Sequence, residues 1–378
     1  MRIGIEAQRI FRKKKHGMDM VALALISALQ AENTGHQFFV FAQPDEDMSC
    51  FKSGNGVDVI LLPNAPYPIW EQLYLPNAIK KYKIDLLHCT SNTAPIFLNV
   101  PLVLTLHDII YLEKISLSEG TAYQKFGNIY RKLIVPLIVK KARKIITVSN
   151  FENQRITEYF GFKSGMVQTV YNAAAEYFTP IKDPKILALA KQKFNLPDQY
   201  IFFLGNTDPK KNVKGVLQAL SLLKSKGKLP CKLLMLDINK DYLQNLANEI
   251  GDSEIINEIV FTGYVSNTEL PAIYSLATMF LYPSLRESFG IPLIEALCCE
   301  VPTITSNTSS MPEVVGDAAL LCNPVEPESI AMAILELWNN KALQDSLKTK
   351  GKRRAESFNW KQNASDTLTI YQSVVKSV

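Results

Sequence analysis

The sequence predicts two doubly wound α/β domains, each on a parallel sheet, and three observations lead there. Short apolar runs rich in Val, Ile and Leu alternate with helical segments along the whole chain, as strands buried on both faces do. At 378 residues the chain exceeds what one hydrophobic core usually organises. The pattern also restarts after Phe178-Thr179-Pro180-Ile181-Lys182-Asp183-Pro184, whose two prolines and polar neighbours read as a linker. The expected domains are 1–180 and 181–360, facing across a cleft, with ligands at the carboxyl ends of the strands.

In chain order, the expected strands of the first half are 2–5, 38–42, 57–62, 86–89, 102–106, 145–148 and 167–170. The first opens at the second residue, so nothing before it reads as a secretory leader. His107 comes directly after strand 102–106, at the end where the cleft is expected. A lone histidine is usually structural, and its position is what recommends this one. His36 reads as a loop residue and His88 as a packed strand-end group.

The second half repeats the pattern with strands 200–204, 232–236, 259–261, 278–281, 303–305 and 319–322. Gly205 follows the first, then a loop carrying Lys210-Lys211, then a helix. Strand 278–281 leads into the most informative stretch, Arg286-Glu287-Ser288-Phe289-Gly290-Ile291-Pro292-Leu293-Ile294-Glu295-Ala296. Gly290 suits a turn, and Pro292 suits the first helical position because it has no N–H to leave unpaired. The free N–H groups of such a helix start attract a phosphate. Glu287 and Glu295 flank it, one able to accept from a ribose diol and the other from the hydroxyls of a second sugar. Spacing alone is not the signal, because it recurs at Glu328 and Glu336, within an ordinary amphipathic helix with a solvated acidic face. The Ser-Phe-Gly-Ile-Pro turn between Glu287 and Glu295 sets that pair apart.

Composition narrows the class. A content of 47% hydrophobic and 20% charged residues belongs to a soluble globular protein, and no apolar run is long enough to span a bilayer. The six cysteines form no C-x-x-C pair, so a reducing cytoplasm is expected. The net charge of +5 lies wholly in residues 1–180, with 20 Lys+Arg against 15 Asp+Glu. It gathers at Arg12-Lys13-Lys14-Lys15, Lys80-Lys81-Tyr82-Lys83 and Lys140-Lys141-Ala142-Arg143-Lys144. Solvated helix ends are one reading of these clusters, and docking to an anionic membrane or acceptor is the other. No nucleic-acid motif accompanies them. Gly4-Ile5-Glu6-Ala7 lacks the glycine pattern of a nicotinamide site. Asp45-Glu46-Asp47 has the look of a D-x-D metal site but lies far in sequence from every phosphate-binding group above, so it reads as a solvated loop and no metal is expected.

Taken as an ordered set, six motifs resemble the retaining glycosyltransferases of family 4. They are His107-Asp108, Ile146-Thr147-Val148-Ser149, Val170-Tyr171-Asn172, Gly205 with Pro209-Lys210-Lys211-Asn212, Glu287 through Pro292 with Glu295, and Pro312-Glu313-Val314-Val315-Gly316-Asp317-Ala318. The resemblance implies the GT-B fold, two Rossmann-like domains facing across a cleft, with the last helix (about 361–378) returning to the first domain. It implies that Glu295 holds the ribose, Glu287 the donor sugar, and the backbone at Phe289, Gly290 and Ile291 the sugar and diphosphate. Lys211 and Lys210 would neutralise the phosphates, His107 would face the donor sugar, Gly17 would approach phosphate and acceptor, and Tyr264 and Val265 would cradle the base. Asn206 stands where many members carry arginine, and Lys15-His16-Gly17-Met18 has fewer glycines than usual for its loop.

The activity so implied is metal-independent transfer, with retention, of a hexosyl group from a nucleotide-diphosphate sugar to a saccharide or lipid-linked acceptor in surface-polysaccharide synthesis. Mannose from GDP-mannose is the first expectation and a UDP-sugar the second. The nucleotide-sugar is a substrate, and no cofactor is expected. The expected place is the cytoplasm, at the inner face of the membrane if the basic clusters dock there. A sugar-nucleotide epimerase of the same fold and a non-catalytic sugar-nucleotide-binding protein are the alternatives.

Overall fold

The computed structural model describes residues 1–32, 34–113 and 122–376; 377 and 378, at the end of the expected last helix, lie outside them. Two compact units result, one of Met1–Asn172 with Asn359–Val378 and the other of Ala173–Phe358. The second begins before the proline linker because Phe178 packs on Tyr274, ring centroids 6.0 Å apart.

The first unit is a seven-stranded parallel sheet of β1 (Arg2–Glu6), β2 (Gln37–Ala42), β3 (Val57–Leu61), β4 (Leu86–Cys89), β5 (Leu102–Thr105), β6 (Lys144–Thr147) and β7 (Val167–Thr169), in the order β3-β2-β1-β4-β5-β6-β7. Ile5 pairs with Val40 on one side and His88 on the other, so the order reverses at β1 and β4. Alternate residues serve opposite faces, as the two-residue period of a strand dictates. Ile3, Ile5, Phe38 and Val40 enter one apolar cluster, and Phe39, Phe41, Leu87 and Leu104 the other. The helix Trp360–Lys376 adds Ala364, Ile370 and Tyr371 to the first cluster. The Tyr371 hydroxyl meets His88 Nδ1 at 2.7 Å, and His88 Nε2 meets Thr105 Oγ1 at 2.7 Å. Burial drives the His88 pKa down to about 3, so this histidine is a neutral packing group.

The second unit is a six-stranded parallel sheet of β8 (Tyr200–Phe203), β9 (Lys232–Met235), β10 (Ile259–Phe261), β11 (Met279–Tyr282), β12 (Thr303–Ser306) and β13 (Leu320–Cys322), in the order β10-β9-β8-β11-β12-β13. β8, β10 and β11 read as unbroken apolar runs, as strands covered on both faces do, while β12 is Thr303-Ile304-Thr305-Ser306, its Thr305 and Ser306 hydroxyls donating to the Tyr282 and Ser284 carbonyls. The order reverses between β8 and β11, and at such a switch point the outgoing loops part and leave a crevice at the strand ends. The loops leaving β8 and β11 carry Lys211 and Glu287. Among the described residues, no helix is long and apolar enough to cross a membrane.

Candidate active site

Gly205 opens the β8 loop because nothing larger fits: a Cβ there would stand 2.5 Å from Phe203 Cε1. The loop turns through Pro209–Lys211 into the helix Val213–Ser225. Asn212, with a left-handed φ of 59°, is the hinge between them. Its Nδ2 donates to the carbonyls of Pro283 at 3.0 Å and Pro324 at 2.7 Å, tying the loop to those that follow β11 and β13. That side chain lies where a Cβ on Gly215 would go, 2.5 Å from Oδ1.

Lys211, held in this way, donates from Nζ to Glu287 Oε1 and to the Tyr282 hydroxyl, each at 2.6 Å, with its ammonium 4.7 Å from the Tyr282 ring centroid. The pair is largely shielded, with side-chain exposures of 15% and 10%, and a charge so placed is tolerated only with a partner. The Tyr282 hydroxyl is raised well above its ordinary range by burial, then by Glu287 and, further down, by Glu295, so both carboxylates act on one spot.

The Glu287 loop is held from behind by two serines. Ser309 Oγ accepts from Glu287 N at 3.1 Å and donates to Glu287 O at 2.6 Å, while Ser310 Oγ reaches Glu287 O at 2.9 Å and Phe289 O at 3.1 Å. Gly290 then takes φ 98° at the N-cap of the helix Ile291–Cys298, a conformation that favours glycine. The helix starts at Ile291, one residue earlier than proline placement alone predicts. Glu295, on this helix, accepts from the Tyr274 hydroxyl at 3.1 Å, and burial raises its pKa to about 7.

The remaining predicted residues divide. Val265 is buried and Tyr264 is 66% exposed on the loop after β10, where Asp237 N donates to Gly263 O at 3.1 Å. Lys210 turns away from Lys211 and lies 3.5 Å from Asp208, while its carbonyl accepts from Leu285 N at 2.7 Å. Asn206 is exposed and caps its own loop through Asp208 N at 2.9 Å. Of the two lysines expected at the phosphates, it is Lys211 that meets Glu287, while Lys210 lies beside Asp208. Asp45-Glu46-Asp47 is paired with the neighbouring basic cluster through Lys13–Glu46 at 3.1 Å and Lys15–Asp47 at 2.5 Å.

His107 and Gly17 belong to the first unit. His107 is buried just past β5, its N bonded to Asn92 Oδ1 at 2.7 Å and its Nε2 3.0 Å from the Thr90 carbonyl. A carbonyl only accepts, so Nε2 carries the proton and, in the neutral ring, Nδ1 keeps the lone pair. Burial lowers the His107 pKa. Gly17 opens the helix Gly17–Ala31 with open space where a Cβ would sit, so packing does not require glycine there. Sequence reasoning missed two buried carboxylates at this end of the sheet. Glu6 takes N–H bonds from Gln8 and Thr90 and is pushed up to about 7 by burial. Glu71 accepts from the hydroxyls of Tyr67, Thr93 and Tyr130 and from Gln72 Nε2. Thr90 thus joins Glu6 to His107.

Comparison with known proteins gives the family and the fold. Residues 16–174 match the family model "Glycosyltransferase Family 4" and residues 186–354 match "Glycosyl transferases group 1". The chain is 32% identical over 235 residues to O-antigen chain mannosyltransferase B of Escherichia coli, which is 61% of each protein. It is 28% identical over 244 residues to the serotype-specific mannosyltransferase WbdA of Escherichia coli, 63% of this chain and 30% of that one. The matched stretch thus spans about three fifths of the first relative's length and less than a third of the second's. Among solved structures, Anabaena HepE in complex with UDP superposes with a TM-score of 0.75 over 99% of this chain and 100% of its own, at 17% identity, which shows the fold. With the two models together matching most of the chain, about one to each unit, the chain belongs to the family 4 glycosyltransferases of GT-B fold.

Proposed function

We propose that the chain is a retaining glycosyltransferase that moves a hexosyl group, mannose before others, from a nucleotide-diphosphate sugar to a saccharide or lipid-linked saccharide acceptor in surface-polysaccharide synthesis. The observation that carries this is the shielded Lys211–Glu287 pair, with Tyr282, at the switch point of the second unit. Support for mannose comes from the relatives named mannosyltransferases, and support for a nucleotide-sugar from the UDP-bound neighbour. GDP-mannose is the first donor proposed and a UDP-sugar the second.

In the reaction, the bond from the anomeric carbon to the diphosphate oxygen breaks, and the acceptor hydroxyl bonds to the same face of that carbon. The departing phosphate oxygen takes the hydroxyl's proton. Positive charge gathers on the sugar beside Glu287 and negative charge on the leaving diphosphate beside Lys211, so both groups act most strongly in the transition state. At an effective dielectric near 20, an ammonium about 4 Å from the new charge supplies roughly 4 kcal/mol. That is on the order of a thousandfold in rate, delivered without a metal. The site of action proposed is the cytoplasmic face of the membrane.

The test is release of free sugar from GDP-mannose and UDP-glucose with EDTA present, followed by NMR of the first anomer formed. Retained configuration is expected, with Glu287→Ala lowering kcat/KM by about a hundredfold or more. An epimerised donor would identify an epimerase, binding without turnover would identify a non-catalytic protein, and activity restored only by added metal would overturn metal independence.

A further inference from the structure

The loop after β9 carries a carboxylate that the fold itself does not use. Asp237 is exposed, just past the strand, with a φ of 33° in the left-handed region that glycine, asparagine and aspartate enter more readily than other residues. An aspartate in such a turn commonly bonds a backbone N–H, caps a helix or pairs with a cation. None of these holds here. The helix Lys240–Glu249 is capped by Asn239, whose Oδ1 accepts from Tyr242 N at 2.9 Å. Lys240 lies with its ammonium 5.1 Å from the Phe261 ring centroid. Among the described residues, the Asp237 carboxylate has no hydrogen bond or ion pair. What the backbone does is hold the residue beside Tyr264. Phe203, Met235 and Phe261 stand in register across β8, β9 and β10, so the loops carrying Lys211, Asp237 and Tyr264 leave neighbouring strands, about 5 Å from one to the next. Asp237 N donates to Gly263 O at 3.1 Å, which ties the second loop to the third, where Tyr264 is 66% exposed.

We propose that Asp237 reads the base of the donor nucleotide and selects guanine. The inference rests on the nucleotide-sugar reading and names the base within it. An aromatic ring stacks on any base, because every base has a π-face, so Tyr264 would bind without choosing. A carboxylate only accepts hydrogen bonds, and that makes it selective. Guanine presents two adjacent donors, its ring N1–H and its 2-amino group, which the two carboxylate oxygens meet side by side in a charge-assisted pair. Uracil presents one N–H between two carbonyls, which would set a carbonyl oxygen against a carboxylate oxygen. Adenine presents its amino group beside an unprotonated ring nitrogen, with the same conflict. A carboxylate that met no such pair of donors would only repel the diphosphate bound at the adjacent Lys211 loop.

The experiment is isothermal titration of the full chain with GDP, UDP and xanthosine diphosphate. The parent should bind GDP about tenfold or more tightly than either of the others. Xanthine has a carbonyl where guanine has its 2-amino group, and the asparagine amide supplies one acceptor and one donor. Asp237→Asn, which tolerates the same backbone, should therefore reverse the purine preference and bind xanthosine diphosphate about tenfold more tightly than GDP. A preference gained in this way cannot come from a damaged fold. If the asparagine variant binds neither purine, Asp237→Gly decides, since it keeps the turn without the carboxylate. GDP and UDP bound alike by that variant would support the assignment, and the parent's GDP preference retained in it would overturn it. A parent that binds UDP as tightly as GDP, or an asparagine variant with the parent's preference, would overturn the guanine assignment alone. A parent that binds none of the three would overturn the nucleotide-sugar reading and this assignment with it.

Discussion

Donor affinity should rise about tenfold between pH 6 and pH 8, and Glu295 should be the reason. Only its ionised carboxylate can accept from both hydroxyls of a ribose, and burial has raised its pKa to about 7. The ionised fraction is then about one in eleven at pH 6 and ten in eleven at pH 8, and apparent affinity scales with the competent fraction. A nucleotide-sugar suits the assay because each of its phosphates is a diester whose one proton is lost well below this range. Isothermal titration of GDP-mannose at the two pH values should show the ratio, with nearly one proton released per site at pH 6. Glu295→Gln should flatten the profile and bind about tenfold more weakly at pH 8, as an ionic hydrogen bond is replaced by a neutral one. The same pKa fixes a stability trend. A carboxyl raised in the folded state contributes stability that is fully present below its ordinary pKa and lost as pH climbs through 7. Glu295→Gln should therefore match the parent near pH 4 and exceed it at pH 8 in urea midpoint. Flat donor affinity across the window would refute the ribose assignment. A slope surviving in Glu295→Gln would move it to another group, with Glu6, also raised to about 7, the first to test.

Breaking the shielded pair with Lys211→Met or Glu287→Leu should cost roughly 2 kcal/mol each, discounted for residual exposure, or about 4–8 °C in midpoint for a unit of this size. The double variant should recover most of that loss in calorimetry; simple additivity would show that the charges are not coupled. Gly215→Ala should invert the usual benefit of alanine in a helix, which is about 1 kcal/mol. The added methyl would displace Asn212 from the Pro283 and Pro324 carbonyls, for a net loss of about 2 kcal/mol, and a raised urea midpoint would contradict this.

The strands were legible because parallel sheets covered on both faces demand unbroken apolar runs, such as Ile201-Phe202-Phe203 and Leu233-Leu234-Met235. The Glu287 turn was legible through glycine and proline chemistry, which acts over a few residues. What escaped acts over longer distances. Ser309 and Ser310 hold the Glu287 backbone from 22 and 23 residues away, with only a short polar run after β12 as a sign. Lys210 and Lys211 look equivalent in sequence, but consecutive residues of a 3₁₀ turn point about 120° apart, and only one can meet Glu287. Glu6 reads as the polar end of a strand, and its partner Thr90 comes from just past the neighbouring β4, 84 residues away.

The Lys211–Glu287 pair also constrains how a donor could enter. Two largely shielded charges left unpaired would be costly, and their 2.6 Å contact meets that cost. A diphosphate sugar offers each of them a substitute, phosphate oxygens for the ammonium and sugar hydroxyls for the carboxylate. A fragment that supplies only one substitute strands the other charge. On the proposed assignment, a nucleoside diphosphate lacking the sugar should draw Lys211 and leave Glu287 unpaired, whereas the intact donor should satisfy both. This asymmetry follows from a buried pair of opposite charges and would not arise from two lysines facing solvent. It gives a physical sense to the place of Lys210 beside Asp208: a second cation at the Glu287 pair would have no carboxylate to balance it.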